Sequence, residues 1–453
     1  MSSIKFIISD LHLADGHPVL DGFGESQQSA FEGLIAAASS SGPLGADDVE
    51  LIINGDCFDF LTTAPYDTGG STDAATALNK LQHIINAHHP FFETLQHFVQ
   101  TPGRHITLTT GNHDIELQFE EIRAALHAAI GVAQDDSRLY FCPSRIYRPL
   151  ANVYIEHGNH FDFWNQSLPG LWDDLGQPLD LHPTTITYPF GSLYFQHALH
   201  PISIAYPYFD HFEPSINSTR QIALLCLLDP EIVLETASHT LELLSEPHQP
   251  LANLSPGDEK IPGTLFEHAM ADFAAFQQDI AARKPDWAES TDPTGSDPNR
   301  IQQIQSNTMM DFLMLRETLA LPTLEAIAAI CTPTTYQMGE SVASGMHNVL
   351  KNEPTLRYAI AGHTHMVRID PVNNGMQSYL NTASWTTRIA LPAPGEVTPE
   401  LVEWLRHPDM RTSPLRDVTE LVFAMLHTTS DGSSSASLCV WEGGAKGHHR
   451  VLA

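Results

Sequence analysis

Five short stretches combine aspartate, asparagine or histidine with glycine. They are Asp10-Leu11-His12, Gly55-Asp56-Cys57-Phe58-Asp59, Gly111-Asn112-His113-Asp114, His157-Gly158 and Gly362-His363-Thr364-His365. From them come seven candidate ligands: Asp10, His12, Asp56, Asn112, His157, His363 and His365. All are oxygen or nitrogen donors, with no thiolate, a set that suits Mn, Fe, Zn or Co; Mn is the first expectation. Seven side chains exceed what one ion needs. If one carboxylate is shared, they hold two divalent ions and leave each a position for water. Two ions about 3.5–4 Å apart clamp the attacking and leaving oxygens of an in-line displacement at phosphorus, and a water between them loses its proton near neutral pH.

Such donors work only if the backbone brings them together, and the flanking sequence shows how. Each stretch follows a short apolar run that reads as a strand: residues 4–8 (IKFII), 50–53 (ELII), 105–109 (HITLT), 153–156 (VYIE) and 357–361 (RYAIA). Helical spacing fills about 26–39, 74–99 and 115–130, and further strands are expected at 377–381, 418–426 and 436–441. Strands alternating with helices indicate an α/β fold with a sheet covered on both faces, and ligands in such folds collect at the C-terminal strand ends. Residues i and i+2 of a strand point the same way, so Asp10 and His12 reach one ion together along an extended backbone, as do His363 and His365. The adjacent glycines permit tight turns and close approach.

Taken singly, each stretch has a plain structural reading as a cap, a turn or a packed histidine. Together, and in this order, DxH, GDxxD, GNHD, H and GHxH resemble the calcineurin-like metallophosphoesterase superfamily. That resemblance covers roughly half of the chain and implies a β-sandwich flanked by helices, with a dinuclear site at the strand ends. It implies that Asp10, His12 and His365 hold one metal, that Asp56 bridges, and that Asn112, His157 and His363 hold the second. It further implies that His113 contacts the phosphate and assists the leaving group, and that Asp59 orients His113. The segments "NGDCFDF", "EHGNHFD" and "YLNTASW" are locally similar to the UDP-2,3-diacylglucosamine hydrolase-like branch. The chain departs from that branch in a longer insertion after His157, in Met366 and Val367 after "GHTH", where a basic residue often follows, and from protein phosphatases in Phe60, where they carry arginine. The expected activity is hydrolysis of a phosphomono- or diester by metal-bound hydroxide. The alternatives are a pyrophosphohydrolase of a nucleotide-linked lipid precursor and a metal-stabilised interaction scaffold.

Composition bounds the remaining classes. The chain has 453 residues, 22 Lys plus Arg and 54 Asp plus Glu, a formal net charge of -32 that repels nucleic-acid backbones and argues against a nuclease. Five scattered cysteines without a C-x-x-C pair indicate a reducing compartment rather than a disulfide framework. No signal peptide or membrane-length apolar run is visible, so a cytoplasmic protein acting on a small phosphorylated substrate, without stable membrane insertion, is expected; the oligomeric state stays open. Residues 1–163 and 356–453 are expected to form the core. Residues 164–355 are expected to form a mostly helical insertion, with helices near 217–245, 264–283 and 301–320 and an aromatic, histidine-rich stretch over 182–212 that reads as core or cap. Cys57 is expected as a small buried hydrophobe, Asp114 as a loop support, His160 and Asp162 as neighbours of the ligands, and Arg368 and Arg388 as partners of a phosphate or of a salt bridge.

Overall fold

The computed structural model describes residues 3–39, 44–66, 70–162, 164–166, 171–173, 175–209, 211–213, 221, 224, 225, 227–229, 232, 236, 323–331, 339–429 and 433–452. The apolar runs become strands. In chain order the first part comprises β1 (Ser3–Ile8), α1 (Glu25–Ala37), β2 (Asp48–Asn54), β3 (Ser71–Asp73), α2 (Ala74–Ala87), α3 (His89–Gln100), β4 (Arg104–Thr109), α4 (Glu120–Ile130), β5 (Leu139–Phe141) and β6 (Val153–Ile155). The single helix expected over 74–99 is two helices that meet at His88. Asp73 caps the first by accepting from Thr76 N at 2.8 Å, and Pro90 stands in the first turn of the second, where a missing N–H is tolerated.

The later part comprises β7 (Thr185–Thr187), α5 (Phe190–Tyr194), a π-helical turn (Phe195–Leu199), α6 (His200–Ala205), β8 (Phe212–Glu213), α7 (Thr323–Ile330), α8 (Glu340–Asn352), β9 (Tyr358–Ala361), β10 (Val367–Val372), β11 (Gln377–Thr382), β12 (Ile389–Ala390), α9 (Pro399–Arg406), β13 (Leu421–Thr428), β14 (Ser434–Glu442) and β15 (His448–Val451). The helices expected near 217–245, 264–283 and 301–320 lie wholly or largely outside the described residues.

The result is a mixed α/β fold around a seven-stranded sheet of order β15-β14-β13-β1-β2-β4-β5, with a four-stranded sheet of order β10-β11-β9-β6. β1, β2, β4 and β5 run parallel, and so do β6, β9 and β11, so the loops after β1, β2 and β4 leave one edge together. Ile7, Ile52, Val422 and Ala424 of the large sheet share one buried cluster with Ile155, Ile360 and Leu380 of the small one. Tyr154, Ala359 and Tyr379 of the small sheet pack with Val342, Ala343 and Met346 of α8. Phe31 of α1 and Phe91 of α3 stack with ring centroids 4.7 Å apart. Each fully buried Ile, Leu or Phe contributes about 1.5–3 kcal/mol, so the strand ends that carry the polar loops are firmly anchored.

The chain divides into two compact units: residues 1–196, 339–387 and 419–453 in one, and 197–338 and 388–418 in the other. These limits differ from the 164–355 span expected for an insertion. The second unit has a core of its own that includes Tyr208, Phe212, Ile327 and Leu405, so the end of the aromatic stretch 182–212 serves as core there.

One buried pair in the first unit predicts a measurable pH dependence. Lys80 and Glu116 are both fully buried; Lys80 Nζ donates to Phe60 O at 2.6 Å, and Tyr188 OH donates to Glu116 Oε1 at 2.5 Å. Burial pushes the Glu116 carboxyl from 4.5 up to about 7, and the Tyr188 hydrogen bond and the Lys80 charge offset only part of that. The folded chain therefore keeps a proton that the unfolded chain releases earlier. The stability this confers is complete below the unfolded value of 4.5 and is lost as pH rises through about 7. Glu116→Gln removes that loss, so the Tm of the variant should gain on the native chain as pH is raised across this window. A Tm difference independent of pH would show that Glu116 titrates alike in both states.

Candidate metal centre

The candidate side chains sit just past strand ends, where the backbone turns sharply. β1 ends at Ile8, and Asp10 and His12 follow with φ of 55° and 50°; Asp56 has φ 49°, and His363 and His365 have 69° and 55°. The extended i, i+2 geometry expected for both pairs is therefore not what aligns them: all four residues lie in the left-handed region. That conformation costs a non-glycine residue about 1–3 kcal/mol and persists only where the surroundings over-determine it.

The surroundings do so through hydrogen bonds between loops. Leu11 N and His12 N both donate to Asp56 O, at 2.9 and 3.0 Å, and Trp385 N donates to Asp10 O at 3.0 Å. Carboxylates lock the loops further. Asp10 accepts from His363 N with both oxygens at 3.0 Å, and Asp56 Oδ1 accepts from His113 N at 2.8 Å. Asp114 takes Gly111 N at 2.7 Å and Cys57 N at 2.9 Å, which is the loop-supporting part expected of it.

Three histidines each commit one ring nitrogen to an acceptor. His157 Nδ1 bonds Asn54 O at 2.9 Å, His12 Nδ1 bonds Asp59 Oδ2 at 3.0 Å, and His363 Nε2 meets Asp162 Oδ2 at 3.0 Å. This fixes the tautomer and leaves the second nitrogen as a lone-pair donor. For His157 that nitrogen, Nε2, is 3.1 Å from Asp56 Oδ2 and has no hydrogen-bond partner. For His12 it is 3.8 Å from Asp56 Oδ2 and 3.1 Å from His365 Nε2, which in turn is 3.3 Å from Asp10 Oδ1. Asn112 is buried and its Oδ1 has no hydrogen-bond partner. Two imidazole nitrogens facing each other, an orphaned amide oxygen and an orphaned imidazole nitrogen are the pattern of donors that fit a cation.

Two groups of donor atoms lie within 4.8 Å of one another and could each hold a metal ion: Asp10, His12 and His365, and Asp56, His157 and His363. A third such group, His12, Asp59 and His113, shares His12 with the first. His113 Nδ1 is 3.1 Å from Asp59 Oδ1, off the line of a good hydrogen bond. Asp59 thus stands between His12 and His113 and is not confined to His113. Its own position is held by Leu61 N and Thr62 N at 3.1 and 3.0 Å.

Charge follows geometry. Burial alone would push Asp56 up, but His157 and His113 outweigh it and hold its carboxyl well below the usual range; Asp10 is lowered in the same way by His157 and His365. Burial alone would pull the histidines down, yet Asp56 and Asp10 raise His157 to about 10, and Asp59 and Asp56 raise His113 to about 9. The buried carboxylates draw protons onto the histidines, which is the demand of a site short of positive charge.

Other expectations resolve locally. Cys57 is fully buried, and burial pushes its thiol well above the ordinary value. Arg368 pairs with Asp370 at 2.7 Å and Glu340 at 2.8 Å, and Arg388 with Glu213 at 3.3 Å, so both take part in salt bridges. Asp162 contacts His363. The service of "NTASW" was not legible: Asn381 Nδ2 donates to Gly362 O at 2.7 Å, Thr382 Oγ1 to Ala361 O at 3.1 Å and Ser384 Oγ to Asp10 O at 3.2 Å, so this run at the end of β11 splints two of the donor loops. A polar run at the end of a buried strand was the signal available.

No protein-family model and no curated protein matches the chain. Among solved structures, it is similar to the phosphopantetheinyl hydrolase of Mycobacterium tuberculosis at 12% identity, with 92% of this chain and 96% of that chain covered and a TM-score of 0.26. Among the described residues, no helix is long and apolar enough to cross a membrane.

The glycines of the motifs make the close approach possible. A Cβ on Gly111 would fall on Asp56 Oδ1 and its amide nitrogen, and one on Gly362 would fall on Asp10 Oδ2, whereas one on Gly395 would meet open space. Overpacking of this kind costs about 1–3 kcal/mol. Gly111→Ala should therefore lower Tm by at least about 3 °C, with Gly395→Ala as the neutral control. Equal Tm values for the two variants would mean that the Asp56 loop is looser than described.

Proposed function

We propose that the chain is a metal-dependent hydrolase of phosphoric esters that holds two divalent ions, with manganese as the first expectation. Asp10, His12 and His365 would hold one ion, His157, Asn112 and His363 the other, and Asp56 would bridge them. The reading is carried by one observation: His12 and His157 have one ring nitrogen fixed from outside and the other turned toward Asp56, beside the unpartnered Asn112 Oδ1. The two-sheet core agrees with the β-sandwich that the sequence motifs imply, and the expected helical insertion belongs to the same proposal, as does a small phosphorylated substrate in a cytoplasmic setting.

When bound, the ions would supply the nucleophile from water and the charge that neutralises the phosphoryl oxygens. The chain's own residues do the rest. Asp59 Oδ1 stands 3.1 Å from His113 Nδ1, so its charge favours a proton on that side of the ring and Nε2 would be the nitrogen that donates to the leaving oxygen. Against burial, the Asp59 carboxylate beside its ring raises the affinity of His113 for its proton, which is the direction a general acid requires. Asp59 also fixes the His12 ring, so it serves both the ion and the acid. The Asp162–His363 and Asn54–His157 bonds orient two further rings in the same manner.

Metal analysis of purified protein, with hydrolysis of a monoester, a diester and a diphosphate-linked substrate with and without chelator, tests this reading. About two ions per chain and chelator-sensitive hydrolysis are expected. His113→Ala should cut turnover by about 100-fold or more and leave metal content unchanged. Asp59→Asn should weaken metal affinity about 10- to 100-fold as well as turnover, because it releases His12. Loss of metal in His113→Ala would make His113 a ligand, and manganese-loaded protein inert toward all three substrates would return the chain to the scaffold alternative.

A further inference from the structure

Beside the donor cluster lies a group of aromatic rings that the chemistry above does not use. Trp164 stands 5.5 Å from Phe190 and 6.2 Å from Tyr194, ring centroid to ring centroid, and Phe195 lies 6.1 Å from His113 at an interplanar angle of 62°. Trp164 is 45% exposed, and the other three rings are only partly buried. Large aromatic side chains of a core normally disappear from solvent, as Phe58 and Phe60 do here.

The group is tied to the donor loops at both ends. Asp162, which bonds His363, also accepts Trp164 N at 3.1 Å and Asn165 Nδ2 at 2.7 Å. Trp164 O accepts from Gly191 N at 2.6 Å, and Ser192 Oγ reaches Asn112 O at 3.5 Å. Trp164 is thus linked through Asp162 to the His363 side, and Ser192, beside Phe190 and Tyr194 in sequence, to the Asn112 side. If His113 donates to the leaving oxygen, the first atoms of the leaving group beyond that oxygen lie against Phe195.

We propose that Phe195, Trp164, Phe190 and Tyr194 form the leaving-group subsite, and that the group it takes is a planar aromatic ring joined to phosphorus through the ester oxygen, an aryl phosphoester. The inference rests on the phosphoesterase reading of the donor cluster. Aromatic rings prefer offset or edge-on partners of their own kind over aliphatic groups of equal area. Phe195 beside His113, with Phe190 and Tyr194 close to it in sequence and Trp164 against both of those, would favour a flat substituent over a flexible chain.

Binding to manganese-loaded protein tests it without turnover, by titration calorimetry and by tryptophan fluorescence. Benzylphosphonate copies a phenyl phosphoester with carbon in place of the bridging oxygen; cyclohexylmethylphosphonate has similar bulk without the flat ring, and ethylphosphonate lacks both. Benzylphosphonate should bind about tenfold more tightly than either of the others. Trp164→Leu and Phe195→Leu should each shrink that preference while ethylphosphonate affinity stays the same. Equal affinity of benzyl and cyclohexylmethyl compounds, or a preference that survives in both variants, overturns the aryl subsite alone. Failure of all three phosphonates and of inorganic phosphate to bind overturns the phosphoesterase reading and the subsite with it.

Discussion

The arrangement depends on what happens to a carboxylate taken out of water. Asp10, Asp56, Asp59 and Asp114 are all buried, and an unpaired charge there would cost several kcal/mol. Each is met by backbone N–H groups, and for three of them these belong to other segments: Asp10 by His363 N, Asp56 by His113 N, and Asp114 by Cys57 N. The desolvation penalty is thereby turned into cross-links: Asp10 and Asp56 keep their charge by holding a distant loop, while Asp114 holds one although burial raises its carboxyl to about 7. The loops that leave β1, β2, β4 and β9 are thereby linked in pairs by buried carboxylates.

The same bonds explain the backbone. Asp10, His12, Asp56, His363 and His365 would not choose left-handed conformations unaided. A left-handed residue reverses the chain's direction within one step, so a strand that has just emerged from the core can present two side chains to one point and still return. Glycine at 111 and 362 lets the carboxylates of the facing loops close to contact. The ring nitrogens then have little freedom, since Asn54 O, Asp59 and Asp162 hold their far sides.

How much of this could be read from the sequence divides along a physical line. The buried strands β1, β2, β4 and β6 announced themselves through short runs with β-branched residues, β9 and β11 through short apolar or aromatic ones, and the polar clusters at their ends followed by position. Local signals also placed α1 and α4. The break at His88 inside the expected 74–99 helix had a local signal in Pro90, which the helical spacing alone overrode, and the short edge strand β15 carries too little apolar alternation to stand out. Features set by distant partners were illegible. Asp59 faces two histidines 47 and 54 positions away; spacing could suggest one partner but not that both share the carboxylate. The i, i+2 argument for Asp10 and His12 assumed an extended backbone, and both residues instead have left-handed φ angles.

Charge gives the proposed function its last constraint. A chain of formal net charge -32 must attract a phosphate locally. Arg368 and Arg388, the arginines nearest in sequence to the GHTH and NTASW motifs, are held by Asp370, Glu340 and Glu213, and the buried Lys80 donates to a carbonyl. These three described cations are thus engaged elsewhere, and in the proposed reading positive charge at the site would come from His113 and from a cation held by the Asp10 and Asp56 carboxylates. Those carboxylates already draw protons onto His157 and His113. A divalent ion would match the charge of two protons and, unlike them, would accept the lone pairs of Asn112 Oδ1 and His157 Nε2 at one point. Anion binding and cation binding are then one requirement: the loop cross-links create the negative centre, the cation inverts its sign, and only the inverted site can receive a phosphate on so acidic a protein.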